Sequence, residues 1–193
     1  MKGQKSLSIL WIIRLPVTEH KLKAVFFDRD GVLNHLVKRN GSFYSPQKFK
    51  DFHIVNEAKE VVNTVKEMDY LAIVVSNQPD ISRGNLKQSE LDKMTDKLFE
   101  KLSIDDVFYC THDDENDTGC RKPAPGLFIT AQKKYNIDFN KSFMIGDTWK
   151  DVEATKNTGI SMILINKDYN QDLENVIRVN SLSEVVSLIK NGF

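Results

Sequence analysis

No stretch of this sequence approaches the ~20 consecutive apolar residues that a membrane-spanning helix needs. Cysteine is scarce as well. Cys110 and Cys120 are the only two in 193 residues, too few for a disulfide framework, and their neighbours favour metal binding. Nor is there a surplus of charge: 27 basic residues face 27 acidic ones. That balance argues against a protein held mainly by a nucleic-acid backbone or an anionic membrane, which wants a basic excess. No internal repeat, low-complexity tract or linker is evident, so the chain reads as one domain with room for a sizeable core. Lys2 and Lys5 precede an apolar run, Leu7 to Ile13, but Arg14 cuts it short and no small-residue cleavage pattern follows. A secretion signal is therefore not expected, and a soluble cytoplasmic protein is. Residues 1–21 match no later feature and read as an N-terminal extension; residues 22–193 carry the fold.

What is present is alternation. Short apolar runs at Ala24–Phe27, Leu71–Val75, Val107–Tyr109, Phe143–Ile145 and Met162–Ile165 are β-branched or aromatic and free of charge, as strands buried on both faces should be. Between them lie helical patterns. Ala58, Val61, Val62, Val65 and Met68 share one face, as do Leu91, Met94, Leu98 and Leu102 after Ser89, an expected N-cap with Asp92 three residues on. Pro125 opens a segment carrying Leu127, Ile129, Ala131 and Tyr135, and Gly159 stops a helix that starts near Trp149. Residues 167–193 supply a closing strand and helix, with Ser181 and Glu184 as a capping box. This order predicts an α/β fold, a doubly wound parallel sheet covered on both faces. No insertion is long enough for a large cap domain, so only short loops should cover a site.

In such sheets ligands bind beyond the carboxyl ends of the strands, and the notable polar residues gather there. Asp28-Arg29-Asp30-Gly31 follows the first run and Ser76-Asn77-Gln78 the second. Asp147 follows Gly146, with Asp151 one turn later, and Lys122 lies in the loop after Val107–Tyr109. A carboxylate attacks a phosphate dianion poorly because like charges repel. A divalent cation held by Asp28 and Asp147 would cancel that repulsion, and Mg²⁺ suits oxygen ligands. Lys122 adds positive charge, and Ser76 and Asn77 can donate hydrogen bonds to phosphoryl oxygens. Asp28 is the candidate nucleophile. Asp30 is placed to protonate a leaving alkoxide and then to activate water. Gly31 lets the chain turn between them.

The ordered set Asp28-Arg29-Asp30-Gly31-Val32-Leu33-Asn34, Ser76-Asn77-Gln78, Lys122 and Gly146-Asp147 with Asp151 resembles the haloacid-dehalogenase-like hydrolases over roughly residues 23–166. The resemblance implies Asp28 as nucleophile, Asp30 as acid and base, Asn77 and Lys122 as phosphate contacts, and Asp28, Asp30 (through its carbonyl) and Asp147 around Mg²⁺. Asn34, the run Asn77-Gln78 with Ile81, Arg83 and Gly84, and Cys120-Arg121-Lys122-Pro123 are similar to the histidinol-phosphate and heptose-bisphosphate phosphatase branch. That implies a small phosphorylated sugar as substrate, contacted by Asn34, Ser76, Gln78, Arg83 and Arg121. A guanidinium such as that of Arg121 can clamp a second phosphate bidentately.

The branch carries a zinc loop of form Cys-x-His…Cys-x-Cys. Cys110, His112 and Cys120 match three ligands, but Thr118 stands where the fourth would be, and a structural Zn²⁺ normally takes four. The basic run His35 to Arg39 also departs from the branch pattern and leaves the sugar open. Histidinol phosphate, a 3′-phosphorylated polynucleotide and a non-catalytic binding role are the alternatives; the neutral charge opposes the second and the intact acidic set the third. A monomer is expected.

Overall fold

The protein is described by a computed structural model over residues 21–192; the expected extension of residues 1–21 lies, Lys21 apart, outside the described residues. In chain order the elements are β1 (Ala24–Phe27), β2 (Val37–Arg39), β3 (Ser42–Tyr44), α1 (Ala58–Glu67), β4 (Leu71–Asn77), α2 (Gln88–Lys101) and β5 (Asp106–Cys110). Then come α3 (Gly126–Tyr135), β6 (Phe143–Gly146), α4 (Trp149–Thr158), β7 (Ser161–Ile165), β8 (Ile177–Val179) and α5 (Leu182–Lys190). Among these no helix is long and apolar enough to cross a membrane.

Six strands form one sheet in the order β5-β4-β1-β6-β7-β8, and every pairing in it is parallel. The uncharged runs make sense in this setting because successive side chains point to opposite faces, and both faces are covered. Val25, Phe27, Ala72, Val74, Phe143 and Ile145 pack on one side with residues of α1, α2 and α5. Ala24, Phe26, Ile73, Val75 and Met144 pack on the other with α3 and α4. The expected doubly wound sheet is therefore the observed one.

The chain runs outward from β1 through β4 to β5, then returns to β1's other side for β6, β7 and β8. This reversal makes the carboxyl end of β1 the switch point, where the crevice of such a sheet opens.

Local signals fared unevenly. Pro125 does precede α3, and Gly159 closes α4 with φ of 75°. Ser181 caps α5 by accepting from the Glu184 N–H at 3.2 Å, whereas the Glu184 carboxylate accepts from the Asn180 N–H. Ser89 is no cap: α2 begins at Gln88 after Lys87, and Asp92 instead accepts from the Gln88 amide one turn back.

The β2–β3 hairpin goes beyond the expected elements. It pairs Val37 with Tyr44 and Arg39 with Ser42, turning at Asn40 and Gly41 with φ of 49° and 83°. Asn-Gly at two left-handed positions is the hairpin signature, so the sequence does carry a signal for it. Its strands are only three residues long and it stands outside the main sheet, beside the site.

Candidate active site

Adjacent parallel strands end side by side, so the residues just past their ends converge. Asp28 directly follows β1 and donates its N–H to the Ile145 carbonyl of β6 at 2.9 Å, while Asp147 directly follows β6. One ligand oxygen from each of Asp28, Asp147 and Asp151 lies within 4.8 Å of the others. Lys122 reaches the same spot: its ammonium sits 3.1 Å from Asp28 Oδ1 and 2.6 Å from Asp151 Oδ1, and it donates to the Val75 carbonyl at 2.9 Å. All four side chains are buried.

Three carboxylates face one ammonium, and the electrostatics show the imbalance. Burial, with Asp151 and Asp30 nearby, pushes Asp28 up to about 6 despite the pull of Lys122. Burial and then Asp28 and Asp151 push Asp147 up to about 8. Burial disfavours the Lys122 charge, but Asp151 and Asp28 outweigh it and raise the ammonium's pKa. Oδ1 of Asp147 is buried with no hydrogen-bond partner among the described residues. An orphaned carboxylate oxygen among crowded acids is what a hard divalent cation would satisfy, so these residues fit Mg²⁺.

Asp151 also opens α4. Its Oδ2 accepts from the Thr148 hydroxyl at 2.7 Å and from the N–H groups of Thr148 and Asp147 at 3.0 and 3.3 Å. Gly146 leaves the room: a Cβ there would come 2.7 Å from the Asp151 side chain. At Gly31, φ is 87° and a Cβ would run into Asp147, so the expected turn glycine is also a close-approach glycine.

Asp30 is held more firmly than a free acid. Arg29 donates from Nε and Nη2 to its carboxylate at 3.1 and 2.9 Å, Gln78 Nε2 donates at 2.8 Å and Asn34 Nδ2 at 3.0 Å. Burial would raise its pKa, yet Arg29, Gln78 and Asn34 hold it below the usual carboxylate range. Asp30 therefore rests as a carboxylate. To protonate a leaving group it must first give up donors. In the sequence Arg29 has no role beyond its place in the first motif, yet it is wholly buried and lies 5.5 and 5.6 Å from the ring centres of Phe52 and Tyr109.

Several expected substrate contacts have other work. Asn77 latches the Lys122 backbone, donating to its carbonyl and accepting from its N–H, both at 2.9 Å. Gln78 is buried between Asp30, Arg29 and Ser76 and does not line the cavity. Arg83 pairs with Asp113 at 2.5 Å and is also away from the cavity lining. Gln78 and Arg83 thus fix their neighbours here, Gln78 beside Asp30 and Arg83 beside Asp113. The cavity, about 1140 Å³, is lined by Asp28, Asp30, Asn34, Ser76, Asn77, Arg121, Lys122 and Asp147, with Phe43 and Tyr44 of the hairpin and Tyr169. Tyr169 donates its hydroxyl to Asp147 Oδ2, and Asn170 donates to the Asp147 carbonyl at 2.8 Å. Neither residue carries a sequence signal, since both sit in a single 3-10 turn, Asp168–Asn170, after β7.

The cysteine reading needs revision. Cys110, His112 and Cys120 do come together, and His112 Nδ1 lies 3.3 Å from Cys120 Sγ, but the two cysteines form a disulfide. Zinc takes thiolates, and sulfurs bonded to each other offer none. The chain as it stands does not fit zinc; the disulfide ties the end of β5 to the loop that carries Arg121 and Lys122.

A family model described as HAD-hydrolase-like matches residues 119–180. The chain is 31% identical over 186 residues to the D-glycero-alpha-D-manno-heptose-1,7-bisphosphate 7-phosphatase of Photorhabdus laumondii, covering 89% of this chain and 98% of that one. It is 33% identical to the beta-anomer 7-phosphatase of Pasteurella multocida, over 75% of this chain and 82% of that one. A crystal structure of the D,D-heptose 1,7-bisphosphate phosphatase from B. bronchiseptica, complexed with magnesium and phosphate, shares the fold with a TM-score of 0.78 at 21% identity, over 89% of this chain and 100% of that one.

Proposed function

The chain belongs to the HAD-like hydrolases, and from that premise we propose that it is a magnesium-dependent phosphatase removing the 7-phosphate of D-glycero-D-manno-heptose 1,7-bisphosphate. The observation that carries the reading is the convergence of Asp28, Asp147 and Lys122 at the switch point, in a chain 31% identical to such a phosphatase along nearly its whole length. Relatives named for both the alpha and the beta anomer match, so both anomers belong in the substrate panel.

In the first half-reaction Asp30, on giving up one of its donors, takes up a proton from solvent; a carboxylate oxygen of Asp28 then bonds to phosphorus, the bond from phosphorus to the sugar oxygen breaks, and Asp30 passes that proton to the sugar oxygen. In the second half-reaction Asp30 takes a proton from water, the water oxygen bonds to phosphorus, and the acyl phosphate opens to phosphate and free Asp28. Asp28, Asp147 and the Asp30 carbonyl would hold the magnesium, which would supply positive charge against the phosphate dianion. Lys122 holds a fixed charge beside Asp28, stabilising the charge that builds up on the phosphoryl oxygens. Asn77 keeps the Lys122 backbone in place, and Arg29, Gln78 and Asn34 aim Asp30. All these groups come from one chain, so a monomer suffices.

The test is Mg²⁺-dependent release of phosphate from a panel of heptose 1,7-bisphosphates, histidinol phosphate and a 3′-phosphorylated oligonucleotide, with Asp28→Asn as control. The heptose bisphosphates should turn over fastest and the variant should be inactive. Full activity in Asp28→Asn, or a preference for the oligonucleotide, overturns the assignment.

A further inference from the structure

Lys150, at the start of α4, belongs to none of the sequence motifs, yet it lines the same cavity as Arg121. Arg121 is only 6% exposed. Its Nε donates to Asp114 at 2.6 Å, while its Nη1 is buried with no acceptor among the described residues. The one carboxylate on it is therefore a weak hold, since Asp114 stands 73% exposed on a loop. Lys150 is half-buried, with its ammonium 5.7 Å from the centre of the Trp149 ring, and it makes no ion pair among the described residues. Burial and the neighbouring Arg121 lower its pKa, with Asp114 pulling the other way.

Two cations thus border the same cavity, and the solvent-facing carboxylate of Asp114, which acts on both, accepts a hydrogen bond only from Arg121 among the described residues. They repel each other, and one has a buried donor in want of an acceptor. A dianionic group relieves both conditions, because it offers several acceptor oxygens and enough charge for two partners. Asp28 and Lys122 take the reacting phosphoryl group, so this is a second anionic position within the same cavity.

We propose that Lys150, together with Arg121, holds the non-reacting phosphate of a bisphosphorylated substrate, making Lys150 a specificity-determining residue. The inference rests on the phosphatase reading and adds a residue to it. A half-exposed charge-assisted contact of this kind is worth roughly tenfold in binding.

The experiment compares kcat/KM on heptose 1,7-bisphosphate with kcat/KM on a heptose bearing only the 7-phosphate, for wild type, Lys150→Gln and Lys150→Arg. The ratio of the two should fall roughly tenfold in Lys150→Gln, through KM rather than kcat, and Lys150→Arg should restore most of it. In the inactive Asp28→Asn background, calorimetric titration with the bisphosphate should show a matching loss of affinity for Lys150→Gln. If the wild type hydrolyses both sugars and the ratio stays within about twofold across the variants, the Lys150 role is wrong while the phosphatase reading stands. If the wild type hydrolyses neither, the reading beneath it is wrong and this inference falls with it.

Discussion

Asp151 makes no expected contact with substrate, yet its replacement should be among the most damaging in the chain. It is wholly buried and every hydrogen-bond partner of its carboxylate is a donor: the Lys122 ammonium at 2.6 Å, the Thr148 hydroxyl, and the N–H groups of Thr148 and Asp147. In Asp151→Asn the amide NH₂ must face one of these donors, whichever way it is turned. Breaking a buried pair by removing one partner costs about 3–5 kcal/mol. In a chain of 193 residues each kcal/mol lowers Tm by about 2–4 °C, so a fall of about 10 °C is expected. Lys122→Met should be comparably harmful, because it leaves Asp28, Asp147 and Asp151 crowded with no ammonium. The double variant should be more stable than the sum of the two losses predicts, by about 2 kcal/mol. Urea denaturation monitored by circular dichroism, with chelator present so that metal plays no part, measures all four corners of the cycle. Losses that add within about 0.5 kcal/mol, or an Asp151→Asn loss under about 1 kcal/mol, would refute the reasoning.

The same geometry sets further outcomes. Asp28 and Asp147 are raised to about 6 and about 8, so between about pH 4 and pH 8 the native state binds more protons than the unfolded chain, and metal-free stability falls as pH rises. Mg²⁺ competes with those protons, so its stabilising shift in Tm should be larger at about pH 8 than at about pH 5.5; an equal shift at both contradicts the charge assignment. Tyr169→Phe removes the bond that helps hold down the Asp147 pKa and should weaken Mg²⁺ binding by about tenfold in calorimetry; unchanged affinity removes Tyr169 from any part in orienting Asp147. Unfolded without reductant, the protein should show no free thiol and no zinc, and reduction should cost about 3 kcal/mol of stability for a ten-residue separation; free thiols with one zinc per chain would restore the metal reading.

Sequence alone determined the sheet and the place of its chemistry. Strands buried on both faces are written as uncharged apolar runs, so Ala24–Phe27, Leu71–Val75 and Phe143–Ile145 were legible, and parallel topology puts the residues after each of them on one rim. That is why Asp28, Asp147 and Lys122 group at one rim on the order of residues alone. Pairing partners across long separations had no such signature. Nothing in the order of residues says that Asn77 holds the Lys122 backbone, that Gln78 and Arg29 restrain Asp30, that Tyr169 reaches Asp147, or that the two cysteines are joined. Those assignments depend on which donors are left within reach once the sheet has closed, and that competition for hydrogen bonds in a buried, crowded site is decided only in three dimensions.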